Sequence, residues 1–148
     1  IPFKESSVDA FVSRSMLEHV PAPVEVVDQF YRLTKKGGMG LHLIPFMYPF
    51  HASPYDFHRF TNKGAEVLFK QWEVMSQSNK TGPFTLLLII IIEILSIVFS
   101  FGQNNLKAIV SFLCCAILFP IKFLDAPFIN RESFLTMAPT ILTIVKKQ

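Results

Sequence analysis

The chain has 148 residues, of which 51% are hydrophobic, and its formal net charge is +3. This length suits one domain. The net charge is small and the basic residues are scattered, which does not favour a nucleic-acid partner. The two cysteines, Cys114 and Cys115, are adjacent in an apolar run, which excludes a disulfide framework and matches no metal-ligand spacing. We therefore predict two buried thiols in a reducing compartment and no nucleic-acid partner.

The first 45 residues are predicted to form a strand, a helix and a second strand. Residues 10–13 are a short apolar run, long enough for a buried strand and too short for a helix. After Pro23, apolar residues recur at helical spacing, which predicts a helix. This helix is expected to end at Lys35-Lys36, with Gly37 as its left-handed cap. Residues 39–44 are nearly all apolar, as in a strand covered on both faces. This order indicates a right-handed parallel crossover unit.

The second half of the chain is predicted to contain a short helix, two strands and a long apolar insertion. Thr61 is the expected N-cap of the helix, and residues 72–76 alternate as a strand does. The apolar runs 84–101 and 108–124 have helical length and are separated by a polar turn. Residues 141–145 are predicted to form the closing strand.

Several motifs, by their order and spacing, resemble the second half of class I S-adenosylmethionine-dependent methyltransferases. In chain order they are Asp9-Ala10-Phe11-Val12-Ser13, Leu17-Glu18-His19-Val20-Pro21, Arg32-Leu33, Gly37-Gly38, Pro45-Phe46 and Pro54-x-Asp56-x-x-Arg59-Phe60-Thr61. The resemblance covers residues 1–78 and the last strand. Ala22 departs from it, because the family often has an acidic residue there, so a helix cap is missing.

The resemblance implies an α/β fold: a partial Rossmann-like methyltransferase sheet made of the last four strands, with an apolar helical hairpin inserted before the final strand. Residues 1–81 would be the C-terminal half of the methyltransferase domain, 82–130 the hairpin, and 131–148 the final strand and a basic tail. In the family, a Gly-rich turn and acidic residues that hold the cofactor precede such a segment, and here no glycine precedes Gly37. We therefore expect a truncated chain that is inactive in isolation, with its first strand as an exposed edge.

The residues that follow the first strand are the candidates for the chemistry. The resemblance implies S-adenosylmethionine as the cofactor and places Ser15 and Glu18 as its contacts, beside its methionine portion. His19 is the candidate catalytic residue, as a base or as a group that orients the acceptor. Alternatively, His19 bonds to the following loop and only shapes the crevice.

The loop after the second strand is expected to face the same crevice. His51, Tyr55, Asp56 and Arg59 are the candidate substrate-binding residues, in an acceptor-binding or lid role. Asp56 and Arg59 could instead pair with each other and fix the loop. A metal site from His51, Asp56 and His58 has suitable ligand types, but its spacing matches no zinc pattern, so no metal is predicted.

The expected function is methyl transfer to a small-molecule, lipid or glycan-type acceptor. The alternatives are a non-catalytic membrane-associated protein whose apolar hairpin is its main feature, and a soluble enzyme that dimerises through the hairpin. Residues 84–124 are expected to contact the membrane, because basic residues cluster at the ends of the insertion and only Lys107 marks its tip. The cluster consists of Lys80, Lys122, Arg131, Lys146 and Lys147. This charge pattern predicts a hairpin that enters from the cytoplasm, so the protein would be cytoplasmic, at the cytoplasmic face of a membrane.

Overall fold

A computed structural model describes residues 2–51 and 55–148 of the chain. The strands are β1 Val8–Arg14, β2 Thr34–Pro45, β3 Glu73–Asn79 and β4 Thr140–Lys146, and the α-helices are α1 Pro23–Leu33, α2 Asn62–Leu68, α3 Pro83–Ser100 and α4 Asn104–Leu118. Segments of 3₁₀ helix cover Leu17–His19, Phe119–Phe128 and Glu132–Met137. Pro54, which begins the predicted Pro-x-Asp motif, lies outside the described residues.

The four strands form one sheet in the order β1-β2-β4-β3. β1 pairs with β2 in parallel, and β4 pairs with both β2 and β3 in antiparallel orientation. The predicted four-strand sheet is therefore confirmed, and so is the position of the helical insertion between its last two strands. β1 lies at an edge of the sheet in the part of the chain that the structure describes, and its Val12 is 76% exposed.

α1 buries one face against the sheet through Val27, Phe30 and Leu33. As expected, its N-cap Ala22 makes no side-chain cap hydrogen bond. The helix ends at Leu33 and not at the predicted Lys35-Lys36, because the Thr34 hydroxyl donates to the Phe30 carbonyl at 2.7 Å and the chain then extends into β2.

The residues after α1 therefore belong to β2 and do not form the end of the helix. The ammonium of Lys35 lies 2.7 Å from the carboxylate of Asp9 on β1, an ion pair across the parallel strands. Gly37 has the positive φ that the sequence predicted, +78°, but it lies inside β2.

His42 sits in the middle of β2 and is fully buried. Its ring stacks on Phe69 at 4.6 Å and on Phe30 at 5.9 Å between centroids, and its Nδ1 lies 2.8 Å from the Ser13 hydroxyl. A Cβ on Gly40 would approach the His42 ring to 2.5 Å, so glycine there makes room for the imidazole. Burial lowers the pKa of His42 to about 4.

α3 and α4 pack against each other, and the 3₁₀ segment Phe119–Phe128 returns the chain to the base of α3. Asp125 of that segment is buried, and its carboxylate accepts hydrogen bonds from the backbone N–H groups of Gly82, Phe84 and Thr85, at 2.9 to 3.0 Å, and from the Thr85 hydroxyl. A side chain about 40 residues away in sequence therefore caps the N-terminus of α3, where a negative charge is favourable.

The insertion differs from its prediction in three details. α4 begins at Asn104 and not at 108, so the polar turn is shorter than predicted. The last residues of the predicted second helix, 119–124, instead form 3₁₀ helix, which contains Pro120. Cys114 is half-buried and Cys115 is exposed, so the prediction of two buried thiols is wrong. α4 packs mainly against α3 and the 3₁₀ segment, and none of its residues is buried.

The predicted basic cluster also divides. Lys80, Lys122 and Arg131 stay near the base of the insertion, at the start of β4. Lys146 pairs with Met39 at the other end of β4, about 20 Å away at the rise of a strand. Lys147 donates to the Tyr31 and Thr34 carbonyls there, so the tail does not flank the hairpin.

Candidate functional site

A cavity of about 560 Å³ opens at the carboxyl ends of β1 and β2. This is the edge of an open α/β sheet at which ligands bind. Its walls come from the end of β1, the loop after β2, the base of the insertion and the start of β4; the lining residues are Arg14, Ser15, His19, Leu43, Pro45, Tyr48, His51, Lys80, Thr81, Thr85, Ile89, Pro139 and Thr140.

The chain bends sharply after β1 to bring Ser15 and His19 to the cavity. Ser15 has φ +46°, and its N–H donates to the Leu43 carbonyl at 3.0 Å, which holds the bend against β2. The 3₁₀ turn Leu17–His19 follows and buries Leu17 and Glu18 completely. His19 is left at the surface of the cavity, with Nδ1 2.5 Å from the Tyr55 carbonyl. Since a carbonyl only accepts, Nδ1 carries the proton and Nε2 is the free nitrogen.

An ion pair fixes the loop after β2. Both guanidinium nitrogens of Arg59 lie 2.5 Å from the carboxylate oxygens of Asp56, and the same guanidinium donates to the Tyr48 and Pro49 carbonyls at 2.9 Å. The backbone N–H of His51 also donates to Asp56 at 2.9 Å. The hydrogen bond from Arg59 holds the pKa of the Asp56 carboxyl well below its usual range, and the Asp56 carboxylate raises the pKa of Arg59.

The structure brings together three of the predicted site residues and separates the others. Ser15, His19 and His51 line the cavity, whereas the Asp56 carboxylate is 1% exposed and points into the loop with Arg59. Tyr55 is 65% exposed and does not line the cavity. The polar atoms of Asp56 and Arg59 are engaged with each other and with the loop backbone. Substrate contact by Tyr55, Asp56 and Arg59 stays a prediction.

Glu18, the second predicted cofactor contact, does not line the cavity. Its side chain is fully buried behind the cavity wall, between His19 and His51. One ligand atom from each of Glu18, His19 and His51 lies within 4.8 Å of the others, which is a possible metal-binding group. The set considered from sequence, His51 with Asp56 and His58, is not assembled: the His58 Nε2 lies instead 3.3 Å from the Pro21 carbonyl.

The insertion contributes a wall that sequence reasoning missed. Lys80, Thr81 and Thr85 lie at the base of α3, and Ile89 is a turn further along it. In the sequence, this wall was indicated only by the position of the insertion between the last two strands. β3 ends and β4 begins at the sheet edge that also holds the crevice. The start of β4 adds Thr140, which lies opposite Pro45.

Known proteins and structures resemble this chain in part. A protein-family model described as a methyltransferase domain matches residues 1–41. No curated protein matches the chain. Among solved structures, the [4+2]-cyclase SpnF is similar over 99% of this chain and 52% of its own, with a TM-score of 0.58 and 10% identity.

Two further similar structures are methyltransferases by description. A S-adenosylmethionine complex of Haemonchus contortus phosphoethanolamine N-methyltransferase 2 has a TM-score of 0.53 and 16% identity, over 98% of this chain and 34% of that one. A SAM-dependent methyltransferase from Methanosarcina mazei has a TM-score of 0.53 and 10% identity, over 99% and 62%.

The chain thus spans between a third and two thirds of the length of these structures. At such low identity the likeness concerns the fold, and the presence of a cyclase shows that the fold carries more than one chemistry. The strand order, the parallel β1–β2 pair, the antiparallel β3–β4 pair and the matched segment agree on one architecture. The chain has the fold of the class I S-adenosylmethionine-dependent methyltransferases.

Proposed function

We propose that the protein takes part in S-adenosylmethionine-dependent methyl transfer to an acceptor that lies at a membrane surface. The observation that carries the proposal is the crevice at the carboxyl ends of β1 and β2, in a sheet of methyltransferase fold, with one wall formed by the base of an apolar hairpin. The matched methyltransferase-domain model covers the β1 side of that crevice.

The residues of this chain fit a positioning role. The cofactor would supply a methyl group on a sulfonium, which is transferred by in-line displacement, so the protein mainly has to orient the two reactants. Ser15 lies on the cavity wall at the bend after β1, where the methionine portion of the cofactor is expected. His19 and His51 line the cavity next to each other, and we assign them to the acceptor.

The loop after β2 would keep this arrangement ready for the acceptor. Asp56 accepts from the His51 N–H and Arg59 donates to the Pro49 carbonyl, so the pair holds the backbone that leads into His51. His19 bonds to the same loop through the Tyr55 carbonyl. The contribution of the Asp56–Arg59 pair to acceptor binding is therefore indirect, through the position of His51.

The hairpin supports the membrane part of the proposal. Pro83–Ser100 has a mean hydropathy of 2.5 with 22% of its residues buried, and Asn104–Phe128 has a mean hydropathy of 2.0 with 6% buried. Two helices this apolar and this uncovered expose a surface that soluble monomers rarely tolerate. Both ends of the insertion join strands of one sheet, so both ends have to lie on one side of a bilayer. We expect this side to be the cytoplasm.

The charge at the centre of α3 is compatible with burial. Glu93 lies 2.6 Å from the ammonium of Lys107 on α4, and both side chains are under 40% exposed. A carboxylate at the centre of a membrane helix costs about 3 kcal/mol on insertion scales. Pairing with Lys107 satisfies that carboxylate within the hairpin, so the hairpin is better suited to enter a bilayer than its sequence suggested.

These features favour a lipid-borne acceptor over a free small molecule or a glycan. The cavity lies beside the base of the hairpin, and Ile89 extends its wall along α3 toward the apolar surface. An acceptor headgroup would then reach His19 and His51 while its apolar part stays with the hairpin.

The proposal is tested on the protein as its gene encodes it. We expect it to float with liposomes and to transfer a radiolabelled methyl group from S-adenosylmethionine into a chloroform-soluble product. Deletion of residues 83–128 should release it from the liposomes. Floating without any methyl transfer to lipid, glycan or small-molecule extracts would favour a non-catalytic membrane-associated protein, and a monodisperse detergent-free dimer would assign the hairpin to an interface.

A further inference from the structure

A buried carboxylate stands between two histidine side chains at the back of the crevice. The Oε1 atom of Glu18 lies 3.8 Å from Nε2 of His19 and 3.8 Å from Nε2 of His51. These distances are too long for hydrogen bonds. Both Glu18 oxygens are fully buried and accept no hydrogen bond from any residue that the structure describes.

The other nitrogen of each ring is engaged with a backbone carbonyl. Nδ1 of His19 faces the Tyr55 carbonyl at 2.5 Å, and Nδ1 of His51 faces the Pro49 carbonyl at 3.2 Å, with an Arg59 nitrogen slightly further away at 3.4 Å. Donation from Nδ1 to a carbonyl leaves Nε2 with a lone pair. The two lone pairs are therefore directed to the region of the Glu18 carboxylate.

Three acceptors that face one another without a donor are unfavourable in a protein interior. A buried carboxylate without a partner costs several kcal/mol, and natural structures pair such groups or bind them to metals. A histidine that binds a metal through one nitrogen usually donates its other N–H to a carbonyl or carboxylate, which is the pattern of both rings here.

We propose that Glu18, His19 and His51 bind a divalent transition-metal ion through Oε1 and the two Nε2 atoms. Imidazole ligands favour zinc, iron or nickel over magnesium, which prefers oxygen. In a tetrahedral zinc site, ligand atoms are about 3.4 Å apart, since each metal–ligand bond is about 2.1 Å long. The three atoms here lie within 4.8 Å of one another, so shifts of about 1 Å close the site.

The ion would keep at least one position open. Three protein ligands and a water or substrate oxygen are the usual set of a reactive zinc site. His19 and His51 line the cavity while Glu18 lies behind it, so the open position faces the crevice. The ligand class for it is an oxygen donor, and under the proposed function this is an oxygen of the methyl acceptor.

Supporting contacts hold the two histidines in place. The His19 and His51 rings meet edge to face at 5.1 Å, and Tyr48 packs on His51 at 4.9 Å. The ligands come from two segments that are distant in sequence, the turn after β1 and the loop after β2. The site therefore has no short spacing of ligands by which it could be recognised in the sequence.

The test is metal binding by the whole chain, which needs neither cofactor nor acceptor. The protein is purified in detergent with Cys114 and Cys115 replaced by serine, since exposed thiols also bind zinc, and it is titrated with zinc chloride by calorimetry at pH 7.5. We expect one zinc ion per chain. Glu18→Gln and His51→Ala should each weaken binding by about 100-fold or more. His58→Ala is the matched control, because this histidine lies in the same loop but outside the group, and it should bind as the parent does.

Thermal unfolding gives a second readout that does not depend on activity. Zinc should raise the Tm of the parent and leave that of Glu18→Gln unchanged, because only the parent binds the ion. With a chelator present, Glu18→Gln should be at least as stable as the parent, since it replaces a buried unpaired charge by a neutral amide. Absence of zinc binding by the parent, or binding that persists in both Glu18→Gln and His51→Ala, would overturn the proposal. Loss of methyl transfer with intact zinc binding would count against the proposed function alone.

Discussion

The buried imidazole of His42 predicts a specific dependence of stability on pH. The folded state holds its pKa at about 4, because burial between Phe30 and Phe69 disfavours the charged ring, whereas an unfolded histidine has a pKa of about 6.5. A lowered pKa in the folded state means that protons bind the unfolded chain first as pH falls. The contribution of His42 is therefore complete above pH 6.5 and is lost progressively between pH 6.5 and 4.

The size of this loss follows from the difference between the two pKa values. At 1.36 kcal/mol per pKa unit, the full difference corresponds to about 3 kcal/mol, and the part lost between pH 7 and pH 5 is about 2 kcal/mol. The assay is denaturant unfolding at pH 7, 6 and 5, followed by tryptophan fluorescence of Trp72. His42→Gln removes the titrating group, and His58→Gln is the control because that histidine lies in a loop and is only half-buried.

The variants are compared through the change in their free energy of unfolding with pH, and not through its absolute value. His42→Gln should be less stable at pH 7, since it disturbs the core, but the free energy of unfolding of the variant should fall less between pH 7 and 5. Wild type and His58→Gln should lose stability in parallel. Parallel slopes for wild type and His42→Gln would refute the reasoning, because burial would then not exclude the proton from this ring.

Three substitutions and one binding measurement have expected outcomes. Asp125→Ala should destabilise the base of the hairpin by about 2 kcal/mol, because the N–H groups of Gly82, Phe84 and Thr85 lose their acceptor; local hydrogen exchange at residues 82–85 measures this. Asp56→Ala should cost about 2 kcal/mol and raise the KM for the acceptor more than it lowers kcat, as it frees Arg59 and the loop; unchanged kinetics would contradict this. Thr61→Ala should cost about 1 kcal/mol in chemical denaturation, since its hydroxyl accepts from the Gly64 N–H. These 148 residues contain no glycine before Gly37 and so offer no Gly-rich turn to the cofactor; they should bind S-adenosylmethionine weakly, and calorimetry showing micromolar affinity would contradict this.

Local pattern predicted the strands, and the family resemblance predicted that they form one sheet. The strands are short apolar or alternating runs, and each one is bounded by a turn, a cap or a proline that acts through its immediate neighbours. The cap at Thr61 and the positive φ of Gly37 were predictable for the same reason, because each depends on the conformation of a few adjacent residues.

The details that were missed depend on contacts across the fold. Asp125 looks in sequence like an isolated charge in an apolar run, and only the return of the chain to α3 shows it as a cap. Likewise, nothing in the local sequence separates the exposed side of a 3₁₀ turn from the buried one, so Glu18 was expected in the crevice and lies behind it. The predicted end of α1 was wrong because Lys35 lies on β2 and pairs with Asp9 on β1, instead of capping the helix.

The position of β4 in the sheet has a consequence for how the protein assembles during synthesis. β4 fills the gap between β2 and β3, yet it follows β3 only after the whole insertion. Until the ribosome has released β4, both of its future partners expose open edges, and such edges are prone to aggregation. A hairpin that engages a membrane at this stage would hold the nascent sheet at the bilayer surface, away from other unfinished chains. If the hairpin enters a membrane as we propose, the order of the elements along the chain would put that contact before closure of the sheet.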